Sequence, residues 1–416
     1  MTSQLKVIHI CHTDIVGGAS RAAYRIHQCL IDSNIDSEMW VNQSISDDFT
    51  VQPPKNKFGQ FLQPLKIKII GKLTTLFLKT KNPVKHSPAV LNSNWVSKIN
   101  HSDADIVHLH WICNEMLSIR DISRIKKPIV WTLHDMWAFC GAEHYTEENR
   151  WREGYEKNNQ PAFESGFDIN RWTWKRKYKQ WKDPMHIVCP SHWLAGCASD
   201  SLLMKKWPIE VVSHPLNTEV WKPFPKNSAR ELFNLPKNVP LVLFGAEKGR
   251  ANYRKGFDLL LKALRILGHE SEMGDLELVV FGQTTPREQK NIEYPINYMG
   301  HLHDDVSLSI LYSAADVMVV PSRQEAYGQT ASEAQACGIP VIAFDNTGLV
   351  DLVEHLVTGY LVKSFDVNDL AEGIKWVLSE EVHQDLSKNA RKKIVEKTSV
   401  KDVAKRYLNI YKKASS

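Results

Sequence analysis

Long apolar runs are missing from this chain of 416 residues. No stretch approaches the roughly 18 consecutive apolar residues that a membrane-spanning helix needs. The first apolar piece, Val7-Ile8-His9-Ile10, has the length of a strand and lacks the longer hydrophobic core of a signal peptide. We therefore expect a protein of the cytoplasm with no transmembrane helix.

Net charge and paired cysteines are also scarce. The 52 basic and 47 acidic residues leave a formal charge of +5, which is too small over this length to predict nucleic-acid binding. The seven cysteines are scattered and none has CxxC spacing, so a disulfide framework or a structural zinc site is not expected. Buried thiols in a reducing compartment are the simpler interpretation.

Short apolar runs alternate with helical patterns along most of the chain. The predicted strands are Lys6–Cys11, Ser37–Val41, Ile106–His110, Pro128–Leu133, His186–Cys189, Leu241–Gly245, Leu276–Phe281, Ile296–Met299, Val317–Val320 and Pro340–Ala343. The predicted helices between them include Ser20–Asp32, Phe257–Leu267, Val306–Ala314 and Asp369–Leu378. Most of these strands lack polar alternation, which is typical of parallel sheets covered on both faces. The pattern predicts two doubly wound α/β domains.

Clustered prolines predict the boundary between the two domains. Pro215, Pro223 and Pro225 follow the apolar pair Val211-Val212, and prolines at this density interrupt regular structure. We therefore expect an N-terminal domain over residues 1–215 and a C-terminal domain over 216–399. A last helix over 400–416 is a candidate to return to the first domain.

Acidic residues are absent from Lys55 to Lys85, a segment that contains eight lysines. Its apolar residues follow helical spacing: Phe58, Phe61, Leu62, Leu65, Ile69, Leu73 and Leu76. One interpretation is a basic amphipathic helix on an anionic membrane surface. The other is a helix packed on the protein core with its lysines in water.

A second irregular segment, Glu143 to Lys182, is polar and has no clear period. It carries four tryptophans, Trp151, Trp172, Trp174 and Trp181. One hypothesis is a loop that lines an acceptor site, since loops on rigid scaffolds carry function. A structural excursion anchored by tryptophans is the alternative.

Three motifs lie where a strand leads into a helix. Gly17-Gly18 follows the first strand, and Arg254-Lys255-Gly256 opens a helix in the second half. Glycines let the backbone approach a ligand, while cations beside a helix N-terminus suit a diphosphate. In the third motif, Glu325 and Glu333 stand eight positions apart, after the buried strand Val317–Val320. Carboxylates accept hydrogen bonds from sugar hydroxyls. Each motif alone is also compatible with an ordinary turn.

Histidines and aspartates give no strong metal motif. His108, His110 and His134 lie at predicted strand ends, where a lone histidine is usually structural. His108 and His110 do not make a convincing zinc site, because no matching third ligand is evident. Asp103-Ala104-Asp105 has metal-binding spacing, yet it directly precedes a predicted strand and is interpreted as its cap. We therefore predict no metal and no cofactor.

Taken together, the motifs resemble the family-4 retaining glycosyltransferases of GT-B fold. The resemblance covers nearly the whole chain. It rests on Gly17-Gly18, His134-Asp135, Arg254-Lys255-Gly256 and Glu325…Glu333 in the expected order, with the flanking text EAYGQTASEAQACGIPVIA. It implies two Rossmann-like parallel-sheet domains that face each other across a cleft.

The resemblance also implies roles for individual residues. Those implied to be catalytic are His134, Lys255 and Glu325, and those implied to bind the donor are Gly17, Gly18, Arg254, Lys255, Ala326, Tyr327, Gly328 and Glu333. In this scheme Lys255 holds the diphosphate and Glu325 contacts the transferred sugar. Glu333 binds the ribose hydroxyls, and His134 faces the sugar from the N-terminal domain.

The sequence departs from the family pattern at two places. Gly245 is followed by Ala246 and Glu247 where many relatives have an arginine, which makes Arg254 the candidate substitute. The later GG-x-x-E turn reads Asn346-Thr347-Gly348-Leu349-Val350-Asp351.

The implied function is transfer of a sugar, with retention, from a nucleotide-sugar donor to a saccharide acceptor in polysaccharide or glycolipid synthesis. The basic segment favours a lipid-linked acceptor and a peripheral position at the inner membrane face. Retention is expected through same-face attack, with Glu325 as a covalent nucleophile the rival mechanism. Two alternatives remain: a sugar-nucleotide epimerase, and a catalytically silent subunit that binds nucleotide sugar or membrane.

Overall fold

The computed structural model describes residues 5–54, 57–245, 252–269, 275–284 and 294–416, with the side chains of 57–63 left out. Its contacts divide the chain into two compact units. The first unit is the chain up to Pro215 together with Val400–Ser416, and the second is Leu216–Ser399.

The first unit is built on parallel strands with helices between them. Its strands are β1 (Lys6–Thr13), β2 (Asp36–Gln43), β3 (Val51–Gln52), β4 (Leu78–Thr80), β5 (Ile106–Leu109), β6 (Ile129–Thr132), β7 (Glu164–Gly166), β8 (His186–Cys189) and β9 (Ile209–Val211). Its helices are α1 (Gly18–Asp32), α2 (Lys57–Phe77), α3 (Trp95–Asn100), α4 (Ile119–Ile122), α5 (Arg150–Glu153), α6 (Ile169–Gln180), α7 (His192–Asp200) and α14 (Val400–Ser415).

Seven strands of this unit form one parallel sheet in the order β3-β2-β1-β5-β6-β8-β9. The chain reverses its direction of travel through the sheet between β1 and β5. In doubly wound sheets, ligands bind beyond the carboxyl ends of the strands at this kind of switch point. The fold therefore makes the residues that follow β1, β5 and β6 candidates for a ligand site.

The last helix, α14, covers one face of the first sheet together with α1. Its buried face includes Val403, Tyr407 and Tyr411, which pack with Val7 and Ile26. The hydroxyls of Tyr407 and Tyr411 reach the side chains of Thr132 and His108 in the sheet. This helix is therefore part of the core of the first unit.

The second unit repeats the same architecture. Its strands are β10 (Leu241–Gly245), β11 (Glu277–Phe281), β12 (Ile296–Tyr298), β13 (Val317–Val320), β14 (Val341–Phe344) and β15 (Gly359–Val362). Its helices are α8 (Lys226–Leu232), α9 (Phe257–Gly268), α10 (Asp305–Ala314), α11 (Gln329–Ala336), α12 (Val367–Leu378) and α13 (Glu380–Lys397). The parallel sheet has the order β12-β11-β10-β13-β14-β15, which puts its switch point between β10 and β13.

Two apolar layers cover the two faces of this second sheet. One is built on α9 and α12 with Leu260, Leu264 and Ile374, and the other packs around Tyr312 and Leu349. Because both faces are buried, the strands carry continuous apolar runs, as the sequence indicated. The predicted α/β class with two Rossmann-like domains is confirmed.

The lysine-rich segment forms the expected helix, but a shorter one than its composition suggested. The helix ends at Phe77, and Leu78–Thr80 pairs as β4 with β7 in a small antiparallel ribbon. Lys55 lies outside the described residues. Leu65, Ile69, Leu73 and Leu76 are exposed rather than packed on the core. Across the described residues, none of the helices has both the length and the apolar character to span a bilayer.

The tryptophan-rich segment is mostly anchored in the core. Trp151, Trp174 and Trp181 are buried, whereas Trp172 is partly exposed. Helix α6 inserts the fully buried Lys177, whose ammonium group donates to the carbonyl oxygens of Trp137, Cys140 and Gly141. These contacts favour the structural interpretation for most of the segment. All seven cysteines, each within the described residues, are buried and free of disulfides.

Candidate functional site

The glycine pair forms the turn from β1 into α1 at the switch point of the first sheet. Gly17 has φ 81°, a left-handed conformation that glycine adopts without strain, and α1 begins at Gly18. The first backbone N–H groups of a helix have no partner within it, so they can donate to an anion. The turn is thus suited to phosphate, as the resemblance implies.

A buried aspartate just before this turn, Asp14, ties it to the loop that follows β2. Asp14 accepts hydrogen bonds from the backbone N–H groups of Ile45 and Ser46 and from the Ser46 hydroxyl. Burial alone would raise the pKa of Asp14, but these donors outweigh it and hold the pKa below its ordinary value. Asp14 is therefore ionised at neutral pH and rigidifies the glycine turn.

His134 follows β6, two strands away from the glycine turn. Its side chain is half-buried, and burial lowers its pKa to about 4 despite the attraction of Asp135. The adjacent Asp135 accepts hydrogen bonds from His144 at 2.6 Å and from the Trp111 indole at 3.0 Å. The imidazole of His134 is therefore neutral at neutral pH, while Asp135 anchors the surrounding loop.

A third histidine joins His108 and His110, although the sequence indicated no such partner. His9 lies beside them because β1 pairs with β5, and one ring nitrogen of each lies within 4.8 Å of the others. Both nitrogens of His110 and of His108 already have partners: His110 bonds His9 and His134, and His108 bonds Tyr411 and Thr132. A metal ion could bind this trio only by displacing those hydrogen bonds.

The spaced aspartates near β5 have a structural role. Asp103 pairs with the ammonium group of Lys6, and Asp105 accepts a hydrogen bond from the Lys6 backbone N–H at 2.8 Å. Both contacts fasten the start of β5 to the start of β1. The described geometry therefore fits the interpretation of Asp103 and Asp105 as a strand cap.

In the second unit, two loops meet at the switch point. The short 3₁₀ turn Tyr253–Lys255 leads into α9, and the loop after β13 runs beside it. Arg323 N–H donates to the carbonyl of Arg254 at 2.8 Å, and the Arg323 guanidinium forms two hydrogen bonds with Asp258. Gly256 has φ 68°, and a Cβ there would collide with the Pro321 carbonyl. The motif's glycine is therefore required by the close approach of the two loops.

The cations of this turn converge on Glu325. The Lys255 ammonium lies 2.5 Å from Oε2 of Glu325, and the Arg254 guanidinium lies 3.5 Å from the same oxygen. Burial would raise the pKa of Glu325, but Lys255, Arg254 and the Ser322 hydroxyl hold it below its ordinary value. The carboxylate is therefore ionised at neutral pH, with two cations beside it.

Gly328 ends this loop and starts α11. It has φ 97°, and a Cβ there would meet the side chain of Leu349 at 2.4 Å. Ala326 and Tyr327 are buried beside it. One turn into α11, the buried Glu333 accepts a hydrogen bond from the Tyr312 hydroxyl at 2.9 Å. The loop after β13 thus carries Glu325 at the helix mouth and Glu333 inside the helix.

The altered GG-x-x-E turn keeps a direct contact with this loop. Residues Gly348–Asp351 form a 3₁₀ turn, and the Gly348 N–H donates to the Glu325 carbonyl at 2.9 Å. A Cβ on Gly348 would clash with the Ala326 carbonyl. The other departure, at Ala246 and Glu247, lies outside the described residues. Arg254 nevertheless lies beside Lys255 and Glu325, as its substitute role requires.

The predicted residues thus divide into two groups, one in each unit. Gly17, Gly18 and His134 follow strands of the first sheet, and the remaining residues surround the two loops of the second. Sequence reasoning did not identify Tyr312 or Arg323, which hold Glu333 and the turn. Arg323 stands two residues before Glu325 in the same loop, but its spacing gave no indication that it would hold the turn. Tyr312 lies in α10, away from the motifs in sequence, so the sequence offered no signal for it.

Solved structures with the same fold define the class. A sucrose-phosphate synthase from Thermosynechococcus elongatus superposes with a TM-score of 0.65 at 17% identity, covering 99% of both chains. Anabaena HepE in complex with UDP-glucose gives a TM-score of 0.63 at 14% identity, covering 98% of this chain and 99% of that one. The chain therefore has the GT-B fold, with two Rossmann-like domains.

Family models identify the chain more closely. The model described as Glycosyltransferase Family 4 matches residues 16–220, and the one described as Glycosyl transferases group 1 matches 226–393. The chain belongs to the family-4 glycosyltransferases. It is 33% identical over 196 residues to an uncharacterized glycosyltransferase from Methanocaldococcus jannaschii, a match that covers 45% of this chain. That match spans about half, 48%, of the relative's length.

Proposed function

We propose that this protein is a retaining, metal-independent glycosyltransferase that moves a sugar from a nucleotide-sugar donor to a saccharide acceptor. The observation that carries the proposal is the cluster of Lys255, Arg254 and Glu325 at the switch point of the second sheet. It combines two cations for a diphosphate with a carboxylate for sugar hydroxyls. Glu333, one turn into α11, supplies a second carboxylate for the nucleotide ribose.

Cleavage of the anomeric C–O bond leaves negative charge on the diphosphate. Stabilising that charge is the main catalytic contribution expected of such a site. Lys255 and Arg254 supply positive charge, and the N-terminus of α11 supplies backbone donors. These groups can do what a divalent metal does in other transferases, which supports the metal-independent mechanism.

Retention follows in this proposal from attack on the same face of the sugar, with the leaving phosphate accepting the proton of the acceptor hydroxyl. Glu325 then binds the sugar and forms no covalent bond with it. Its close ion pair with Lys255 favours this binding role, because a paired carboxylate is a weaker nucleophile. Trapping a glycosylated Glu325, absent in Glu325→Gln, would overturn this assignment.

A donor screen tests the function. We would measure thermal stabilisation and slow hydrolysis with UDP-, GDP-, ADP- and dTDP-sugars, with and without EDTA, starting from UDP-glucose because HepE was crystallised with it. The expected result is stabilisation by one donor that EDTA does not reduce, with release of a sugar of unchanged anomeric configuration. If no donor stabilises the protein or is hydrolysed, the catalytically silent subunit is favoured. Conversion of the donor into its epimer would show an epimerase.

We further propose that the acceptor is lipid-linked and that α2 docks on an anionic membrane. Leu65, Ile69, Leu73 and Leu76 recur at helical spacing on its exposed side, and residues 49–102 contain no acidic residue. Two exposed aromatic residues, Phe77 and Phe167, flank the β4–β7 ribbon, and the Phe167 N–H donates to the Phe77 carbonyl at 2.9 Å. Exposed aromatic and apolar residues beside lysines are typical of interfacial segments.

Charge reversal tests this docking. Replacing Lys66, Lys68, Lys72 and Lys79 with glutamate should lower partitioning onto phosphatidylglycerol vesicles by at least about a hundredfold, since each lysine near such a surface contributes about 1 kcal/mol. Sedimentation with vesicles at low and high salt measures it. The matched control reverses four exposed lysines from other helices, Lys388, Lys392, Lys401 and Lys405. Equal loss in both variants, or no loss in the first, would refute docking through α2.

A further inference from the structure

Three histidines form a hydrogen-bonded row through the first unit. His9 lies within β1, His110 directly follows β5, and His134 follows β6. Nδ1 of His9 lies 2.8 Å from Nε2 of His110, and Nδ1 of His110 lies 3.1 Å from Nε2 of His134. The row therefore runs from the interior of the sheet to the residue implied to face the sugar.

The rings of this row are neutral, which limits what each can donate. His9 and His110 are buried, and burial lowers the pKa of both far below the ordinary value, with neighbouring histidines adding to the effect. A neutral imidazole has one N–H donor and one lone pair. His110 must therefore donate one of its two hydrogen bonds and accept the other, so both bonds of the row point in the same direction.

The two ends of the row decide the direction. Nε2 of His9 is buried, and in the part of the chain that the structure describes it has no hydrogen-bond partner. Orphaned N–H groups in protein interiors are rarer than unsatisfied acceptors, so this nitrogen carries the lone pair and Nδ1 carries the proton. His9 then donates to His110, and His110 donates to His134. Among the described residues, no side chain or backbone group hydrogen-bonds Nδ1 of His134.

We infer that His9 and His110 are positioning residues that fix His134 as the tautomer protonated on Nδ1. The row occupies Nε2 of His134 as an acceptor and leaves its Nδ1–H as a donor for a hydroxyl of the bound sugar. This inference rests on the proposed function for the role of His134, but the tautomer itself does not depend on turnover. Neither His9 nor His110 contacts the sugar in this assignment.

The same nitrogens cannot serve a metal ion at the same time. The two bonds of the row occupy both nitrogens of His110, and the hydroxyls of Tyr411 and Thr132 occupy those of His108. Nε2 of His9 is the nitrogen of the trio for which the described residues supply no partner. A hydrogen-bonded row therefore accounts for the observed contacts better than an empty metal site.

The test is two-bond ¹H–¹⁵N correlation NMR on the full chain labelled with ¹⁵N-histidine. Signals would be assigned by their loss in His134→Gln and His110→Gln. The expected wild-type result is a single tautomer of His134 that is protonated on Nδ1 and unprotonated on Nε2. A His134 protonated on Nε2, or averaged between both forms, would overturn the inference. So would stoichiometric Zn²⁺ binding that shifts His9, His108 and His110 together.

Two matched variants separate positioning from general support of the fold. His110→Leu removes the donor to His134, so we expect loss of the single tautomer and averaged ¹⁵N shifts at His134. His108→Leu removes an equally buried ring with two hydrogen bonds outside the row, and should leave the His134 signals unchanged. Equal effects of the two variants would contradict the inference. If NMR shows the predicted tautomer but the protein turns over no donor, the proposed function is refuted and the tautomer assignment stands.

Discussion

Replacing Lys255 with alanine should lower donor turnover by about a hundredfold to a thousandfold, the usual cost of removing one preorganised group that stabilises developing negative charge. The Lys255 ammonium is one of two cations beside Glu325 at the switch point, and it lies nearer than Arg254. Its removal takes away charge for the leaving diphosphate. It also leaves a half-buried carboxylate with a more distant partner. Steady-state kinetics with the donor found in the screen measure the loss.

The pH profile of the same variant gives a second readout. Burial raises the pKa of Glu325 and Lys255 lowers it, so this pKa should rise when Lys255 is removed. Because the ionised carboxylate is required in our proposal, the acid limb of the activity profile should move to higher pH. Lys262→Ala is the control, since Lys262 is exposed on the same helix, α9. Equal activity in the Lys255 and Lys262 variants would rule out the role of Lys255.

Glu333→Ala should weaken binding of the free nucleoside diphosphate by about tenfold to a hundredfold. Hydrogen bonds to charged groups contribute about 1.5–3 kcal/mol each, and Glu333 is proposed to accept from the ribose hydroxyls. Glu333→Gln keeps an oxygen acceptor without the charge and should lose less. Isothermal titration with the nucleoside diphosphate measures these losses without requiring an acceptor.

Tyr312→Phe isolates the contact that holds Glu333. The Tyr312 hydroxyl donates to Oε2 of Glu333, and its removal takes away this hydrogen bond while the carboxylate itself is unchanged. We expect a loss of affinity smaller than that of Glu333→Ala, with the fold intact because the ring still fills the core. A deoxyribose analogue should lose little further affinity in Glu333→Ala. A full additional loss there would show that Glu333 does not contact the ribose.

Much of the fold could be predicted because buried parallel strands have a simple sequence pattern. β10 and β13 are continuous apolar runs, and their predicted bounds match the structure. Short edge strands such as β9 and β15 were not identified. Ile209–Val211 has an acidic residue at its centre, and Gly359 begins β15, so neither has the composition of a core strand.

The candidate site could be predicted only where its residues are close in sequence. Glu325, Gly328 and Glu333 lie in one loop and the helix that follows it, so their spacing was informative. His9 and Tyr312 reach the predicted residues from distant strands and helices. Such residues come together only through the order of the strands in the sheets, and the spacing of residues within a motif does not reveal that order.

The entry and exit of the second unit lie side by side, because the Leu216 N–H donates to the Thr398 carbonyl at 3.2 Å. The second unit is therefore an insertion within the first, and the first is finished by α14 alone. During synthesis on the ribosome, the inserted unit can complete its core before α14 emerges. The face of the first sheet that Tyr407 and Tyr411 cover must wait until α14 leaves the exit tunnel. Nascent chains stalled before residue 400 should thus bind holdase chaperones through that uncovered face.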